Sequence, residues 1–530
     1  MKNKNITIDI YDSTLRDGAQ GEGINFSVQD KLAVVKALDA FGVKYIEAGN
    51  PGSNPKDLKF FESASKLKLK HARLAAFGAT RRKGIRPEDD VNLQSLLTAN
   101  TPVAAIFGKS WDLHVTGILQ TTLEENLNMI SDTVSFMVKK GKEVVFDAEH
   151  FFDGYKNNPS YAIKTLAAAA AAGASCLCLC DTNGGAGTLF IAETVKTVVS
   201  AFPDIQIGIH CHNDCGTAVA NSVAAVQNGA VEAQGTFVGF GERCGNANLA
   251  AVTGVLQLKL GYRCVPEKNM ALLTQTAREI ADIANVTLEN GAPFVGVSAF
   301  AHKAGMHADG VLKSSVSFEH VDPASVGNER RFLVSEIAGR NAVISKIHKY
   351  FPDVGKDSAE AAAILKTLKE MEMSGYQFEG AEGSFMLLAA KTLGKFSPSF
   401  TLISFKVLTE EPNGGNPSAI ATVKISVDGK AQFSSSEGDG PVNALDKALR
   451  KALNVFYPAL GKVVLEDYKV RVLDSGSATA AKVRVLIRTT DGSDIWTTVG
   501  VSTDIIKASF IALCDSIEYK LMKDNRKNKK

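Results

Sequence analysis

Tryptophan and proline are scarce in this chain, 2 and 15 among 530 residues. Proline this sparse excludes collagen-like and proline-rich linker architectures. Eight cysteines in so long a chain make no disulfide framework, and none are paired as C-x-x-C zinc sites. Cys176, Cys178 and Cys180 alternate inside an apolar run, the pattern of one face of a buried strand. A reducing, cytoplasmic compartment suits that usage. Charge of one sign is also missing: 59 Lys and Arg against 57 Asp and Glu leave a net +2, which gives no footprint for nucleic acid. No apolar run reaches the roughly 18 residues needed to cross a membrane, and the polar Met1–Asn5 does not read as a secretory signal. The one biased stretch, residues 523–530, reads as a solvated basic tail.

What is present is globular: 45% hydrophobic and 22% charged residues, with 45 glycines. From residue 6 to about 262, short apolar runs alternate with helix-period stretches. The runs are Ile6–Tyr11, Val43–Ala48, Arg73–Gly78, Val103–Phe107, Glu143–Phe146, Ser175–Cys180, Ile205–His210 and Val231–Thr236. Eight such alternations over about 250 residues predict a closed TIM (β/α)8 barrel occupying residues 1–264. An open doubly wound sheet would place a G-x-G-x-x-G turn after its first strand, and that turn is absent.

Residues 265–398 change character, with helices predicted at Val265–Leu288, Glu336–Lys349 and Ser358–Met373 around a polar segment. From 399 to 522 strands return in duplicate. Phe400–Leu408, Ala419–Val427 and Ala431–Ser436 precede a helix at Val442–Phe456. Val463–Leu473, Ala481–Thr489 and Asp494–Ser502 precede one at Asp504–Lys520. Two β-β-β-α halves predict a duplicated α+β domain. The small polar residues before each helix, around Gly438–Gly440 and Gly500–Ser502, suggest helix N-termini suited to gripping a carboxylate.

In such a barrel, reacting groups sit just beyond the C-terminal ends of the strands. D-S-T-L-R-D-G (12–18) follows the first predicted strand, F-D-A-E-H (146–150) closes the fifth and C-D-T-N-G-G (180–185) the sixth. H-C-H-N-D (210–214) closes the seventh, and G-E-R-C-G-N (241–246) follows the eighth. His210 and His212, two apart on a strand, leave on the same face about 6.5 Å apart along the axis. Two such imidazoles with a carboxylate such as Asp17 leave open positions on a divalent ion. Arg16 then becomes a positive fork beside it for a developing oxyanion. Asn246 is a candidate both for a fourth, weaker ligand and for a hydrogen bonder that ties its loop.

D-S-T-L-R-D-G-A-Q, H-C-H-N-D-C-G and G-E-R-C-G-N-A-N-L, in that order, resemble the isopropylmalate, homocitrate and citramalate synthases. These are metal-dependent TIM barrels that condense acetyl-CoA with a 2-oxo acid. The resemblance covers roughly residues 6–350 as catalytic region and 399–522 as regulatory domain. Gly49–Asp57, Phe107–Thr116 and Gly327–Arg340 are similar to a longer branch whose acceptor is pyruvate. By resemblance, Asp17, His210, His212 and Asn246 are the metal ligands, for Mg, Mn or Zn. Arg16 holds the carbonyl oxygen of the oxo acid, Thr182 its carboxylate, and Glu149 orients the site. His307 performs the acid–base step, in relatives from the partner subunit, which implies a homodimer or higher homo-oligomer. The family often has tyrosine where Phe318 stands. The resemblance also implies isoleucine as feedback effector of the C-terminal domain, in a route that citramalate opens.

The rivals differ in testable ways. An isopropylmalate synthase would take the branched 2-oxoisovalerate. Acyl-CoA lyases and aldolases of the same barrel run the reverse chemistry and generally lack the duplicated domain. A 2-His-1-carboxylate iron oxygenase needs antiparallel strands. A non-catalytic amino-acid sensor would have no reason to retain Arg16, Asp17, both histidines and His307.

Overall fold

The computed structural model describes residues 6–302, 305–332, 347–348, 351–355, 358–378, 380–410, 418–473 and 481–527. The expected helix at Glu336–Lys349 falls, apart from residues 347–348, outside the described residues, as do positions 333–340 and 528–530. The chain forms two compact units, Met1–Phe300 with His320–Arg330, and Ala301–Glu319 with Arg331–Lys530.

The first unit contains a closed barrel of eight parallel strands: β1 (Asp9–Asp12), β2 (Tyr45–Glu47), β3 (Arg73–Ala79), β4 (Val103–Lys109), β5 (Glu143–Glu149), β6 (Cys176–Asp181), β7 (Gln206–Cys211) and β8 (Glu232–Gly235). Each pairs with the next, and β1 closes on β8 with Asp9 opposite Glu232 and Asp12 opposite Gly235. β6 explains the closure well. Leu177 and Leu179 point outward into the core beneath the helices. Cys176, Cys178 and Cys180 point inward to a separate cluster with Tyr11, Tyr45, Val103, Ala105 and Val145. A strand buried on both faces must lie between helices and a filled interior.

The connecting helices carry local start and stop signals. Ser27 and Asp30 form a capping box at Val28–Phe41, and Gly42, at φ 103°, ends that helix in a left-handed turn. Asp90 and Thr122 cap Val91–Thr98 and Leu123–Lys139.

Two expectations in residues 265–398 are corrected. Val265–Leu288 is not one helix: a 3-10 turn at Glu267–Leu272 leads into a shorter helix at Leu273–Ile283. A helix at Glu382–Thr392 went unpredicted. Gly383 to Ala390 are all buried, so it has no polar face and no amphipathic period to read.

The second unit holds two three-stranded antiparallel sheets, Thr401–Glu410, Ser418–Val427 and Lys430–Gly438, then Val464–Val472, Val483–Thr490 and Ile495–Ser502. Helices Pro441–Leu453 and Ile505–Lys527 follow them. The duplicated β-β-β-α reading therefore holds. Asp428 and Gly429, both at positive φ, make the tight turn of the first half. Of the two helix ends expected to grip a carboxylate, the first, at Gly440, carries no side-chain cap, and the second is occupied by the chain itself. The Asp504 carboxylate already accepts from the amides of Ile506 and Lys507. Gly500 is small because a Cβ there would lie 2.0 Å from the Ala508 carbonyl oxygen. No helix among the described residues is long and apolar enough to cross a membrane.

Candidate metal centre and substrate cavity

The site is assembled by the turn after β1. Asp12 accepts from the amide and hydroxyl of Thr14, and Gly18 donates to the Ser13 carbonyl. A Cβ on Gly18 would strike the Phe240 ring at 2.8 Å. The turn delivers Arg16 and Asp17 to the barrel mouth. Glu47, fully buried at the end of β2, fixes Arg16. It accepts from Tyr11 at 2.9 Å, Ser13 at 2.6 Å and Arg16 Nε at 2.5 Å. The guanidinium also donates to Asp17 at 2.8 Å and lies 3.9 Å over the Phe77 ring. Its plane is thus held by two carboxylates and an aromatic face.

Asp17 Oδ2 is 3.6 Å from His210 Nε2 and 3.7 Å from His212 Nε2, and all three residues are buried. Burial alone would raise the Asp17 carboxyl, but Arg16 and the two imidazoles hold it well below the usual carboxylate range. Burial pushes both imidazoles down, His212 to about 4. At neutral pH this is an ionised carboxylate facing two neutral imidazoles, the protonation state that metal ligation requires. The side-chain amide of Gln234 donates to Asp147 and Glu232, so its oxygen faces His210 Nδ1, 3.2 Å away. That contact places the His210 proton on Nδ1 and leaves Nε2 free to ligate. Asn246 joins this group. Its nitrogen donates to Asp17 at 3.0 Å, while its buried Oδ1 has no hydrogen-bond partner. An orphaned amide oxygen beside a carboxylate and two imidazoles fits a divalent ion.

A cavity of about 300 Å³ lies against this centre. Arg16, Asp17, Glu149, Thr182, His210 and His212 line it together, with Phe77, Phe107 and Asp147. Thr182 Oγ1 accepts from the His150 amide at 2.8 Å, which leaves its own proton to donate. Glu149 is ion-paired with Lys109. Phe77 and Phe107 stack at 5.0 Å, 14° from parallel. Trp111, which follows β4, stacks on His114. A second cavity of about 280 Å³ shares Arg16, Gln20, Asn50 and Phe77 with the first and is also lined by Asn25, Ser53, Asn54 and Lys56. His307 belongs to the other compact unit. It is exposed on the helix Gly305–Lys313, its ring stacked on Phe318 at 4.4 Å.

Glu47 and Gln234 escaped the sequence reading. Glu47 ends the three-residue strand β2 and Gln234 shares β8 with Glu232, and neither residue type nor spacing marks them for the site.

A parallel barrel with a carboxylate and two imidazoles converging at its strand ends defines a class of metal-dependent enzyme. The HMGL-like family matches residues 7–284, the homocitrate synthase post-HMGL domain-like family residues 294–375, and the LeuA allosteric (dimerisation) domain residues 379–521. The chain is 50% identical to the (R)-citramalate synthase of Aquifex aeolicus, over 97% of this chain and 98% of that one. It is 49% identical to the (R)-citramalate synthase of Synechocystis sp., over 98% and 97%. The 2-isopropylmalate synthase of Clostridium kluyveri is 29% identical over 96% of each chain. The chain belongs to the HMGL-like family, in its (R)-citramalate synthase branch.

Proposed function

We propose that the chain is an (R)-citramalate synthase, an acyltransferase that joins the acetyl methyl carbon of acetyl-CoA to the carbonyl carbon of pyruvate. Hydrolysis of the thioester then releases CoA and citramalate. The observation that carries this reading is graded similarity: 43–50% identity over nearly the whole chain to five (R)-citramalate synthases, against 29–30% to isopropylmalate synthases. The stacked Phe77 and Phe107 rings support it, because they fill space beside Arg16 that a branched acceptor needs.

A divalent ion, Mg, Mn or Zn, held by Asp17, His210 and His212 with the Asn246 oxygen, supplies Lewis acidity toward the ketone of the acceptor. Arg16, locked by Glu47 and Asp17, holds the carbonyl oxygen and the negative charge that develops on it. The Thr182 hydroxyl donates to the acceptor carboxylate. Glu149 orients the site from its ion pair with Lys109. His307, contributed by the partner subunit of a homodimer, removes the methyl proton. The second cavity, whose lining includes Gln20, Asn25, Asn50, Asn54 and Lys56, suits the amides and phosphates of the CoA arm. Residues 1–264 carry the catalytic barrel, 265–398 complete the site, and 399–522 regulate it in response to isoleucine in the cytoplasm. Exposed Ile403, Leu408, Phe433, Val464 and Val472 on the C-terminal sheets favour self-association of that region.

The test is product identification after incubating the full chain with acetyl-CoA, a divalent metal and either pyruvate or 2-oxoisovalerate. Citramalate from pyruvate is the expected product. Isopropylmalate formed with equal ease would transfer the assignment.

A further inference from the structure

Beneath the Asp17 centre the barrel interior holds a second group of potential ligands with different chemistry. Asp147 on β5 and Cys178 on β6 are register partners, and Cys180 leaves the same face of β6 two residues on. One ligand atom from each, a carboxylate oxygen and two sulfurs, lies within 4.8 Å of the others, and all three residues are buried. A buried thiol is ordinarily a small apolar filler, and Cys176, deeper in the interior, is read that way. Cys178 and Cys180 differ because they flank a carboxylate, and because Asp147 and Cys180 line the 300 Å³ cavity. An ion entering the mouth therefore reaches this group directly.

We infer that Asp147, Cys178 and Cys180 form a second metal site, selective for thiophilic divalent ions such as Zn²⁺ and Cd²⁺, and that filling it inhibits turnover. Two sulfurs and one carboxylate are poor ligands for Mg²⁺ or Mn²⁺ but match borderline and soft d¹⁰ ions. The Asp17 centre, built from nitrogen and oxygen, also accepts Zn²⁺ but offers no sulfur, so a thiolate-to-metal band reports the second site alone. On binding, each thiol passes its proton to solvent, the two sulfurs and the carboxylate donate to the ion, and the remaining position faces the cavity. The Arg16 guanidinium acts electrostatically on both Asp147 and Cys180 and offsets the accumulated negative charge. Gln234 links the two centres, donating to Asp147 at 3.1 Å while its oxygen meets His210 Nδ1. An ion on Asp147 thus narrows the floor of the acceptor cavity and disturbs the orienting contact of a histidine in the upper centre. The inhibition rests on the proposed function; the binding does not.

The test is titration of the full-length, Mg²⁺-loaded protein with Cd²⁺, followed by the ultraviolet thiolate-to-cadmium absorption. The expected result is a band that saturates at a single equivalent per chain and disappears in the double variant Cys178→Ser/Cys180→Ser. It persists in Cys215→Ser/Cys244→Ser, which removes two exposed thiols. ¹¹³Cd NMR of the parent protein needs no variant and gives a sulfur-shifted resonance if the site forms. Cd²⁺ or Zn²⁺ then inhibits the parent competitively with pyruvate, and the Cys178/Cys180 variant requires more than about tenfold higher ion for the same fractional loss. Absence of the band and of the sulfur-shifted resonance from the parent would overturn the site, as would an undiminished band in the folded Cys178/Cys180 variant. Protein that turns over no pyruvate but retains the band would refute the proposed reaction while leaving the site standing.

Discussion

The barrel and the duplicated C-terminal halves both combine strands with helices, yet they put their polar residues to different use. Parallel closure sends all eight strand ends to one mouth, so Arg16, Asp17, Glu149, Thr182, His210 and His212 meet there from distant parts of the sequence. In the antiparallel sheets alternate strands run oppositely, and their ends scatter to both edges. Among the described residues, groups of three or more potential metal ligands occur in the barrel and not in the C-terminal sheets. Those sheets instead cover one face with helices and leave Leu408, Phe433 and Val464 exposed on others. One topology concentrates reactive groups; the other presents surface.

If that contrast is right, the largest losses come from the barrel mouth. His210→Ala or His212→Ala should lower kcat at least about a thousandfold, with bound metal lost and the circular dichroism spectrum unchanged. Near-normal turnover with full metal content would erase the distinction between the two regions. Arg16→Lys should cost about 10²–10³ in kcat, because a point charge cannot replace a planar fork held by two carboxylates. Glu47→Gln should cost about 10–100-fold, since it touches Arg16 without facing the acceptor. Steady-state kinetics with purified protein checks both.

A smaller effect concerns the barrel interior. Burial raises the Glu232 carboxyl to about 8, above its unfolded value. The folded state therefore holds a proton that the unfolded chain releases. The associated stability is fully present below the ordinary glutamate pKa and is lost as pH rises through about 8. Glu232→Gln should flatten the decline of urea midpoint between pH 5 and pH 9, and an unchanged slope would reject that origin. The smallest effect belongs to the C-terminal unit. Asp504→Ala removes a helix cap and should cost about 1 kcal/mol of stability. Isoleucine should bind the full chain by calorimetry, whereas silence toward isoleucine, leucine and valine alike would leave this unit without an effector role. Truncation before Thr401 is a poor probe, because the helix Glu382–Thr392 shares its core with both sheets.

The barrel was legible because its strands announce themselves twice, by apolar runs and by polar clusters at their ends. The cysteine alternation in β6 even gave the direction of each side chain. The Glu382–Thr392 helix was not legible, since burial on every side removes the contrast that periodicity needs. Asp17, His210 and His212 were readable from spacing and motif, because each carries its chemistry in its residue type. Glu47 and Gln234 act through others, and their parts emerge only when β2 and β8 stand on either side of β1. The second of the expected carboxylate-gripping helix ends was hidden for a related reason. A glycine beside a helix reads as an open amide, and only the packed structure reveals that Gly500 admits a carbonyl and that Asp504 has already taken the amides.

The measurement that bears most directly on the account is kcat/KM for pyruvate against 2-oxoisovalerate, in the parent and in Phe77→Ala. A stacked aromatic wall beside a fixed Arg16 predicts a preference for pyruvate of about a hundredfold or more, narrowing in Phe77→Ala as space opens. Comparable values for the two acceptors in the parent would contradict it.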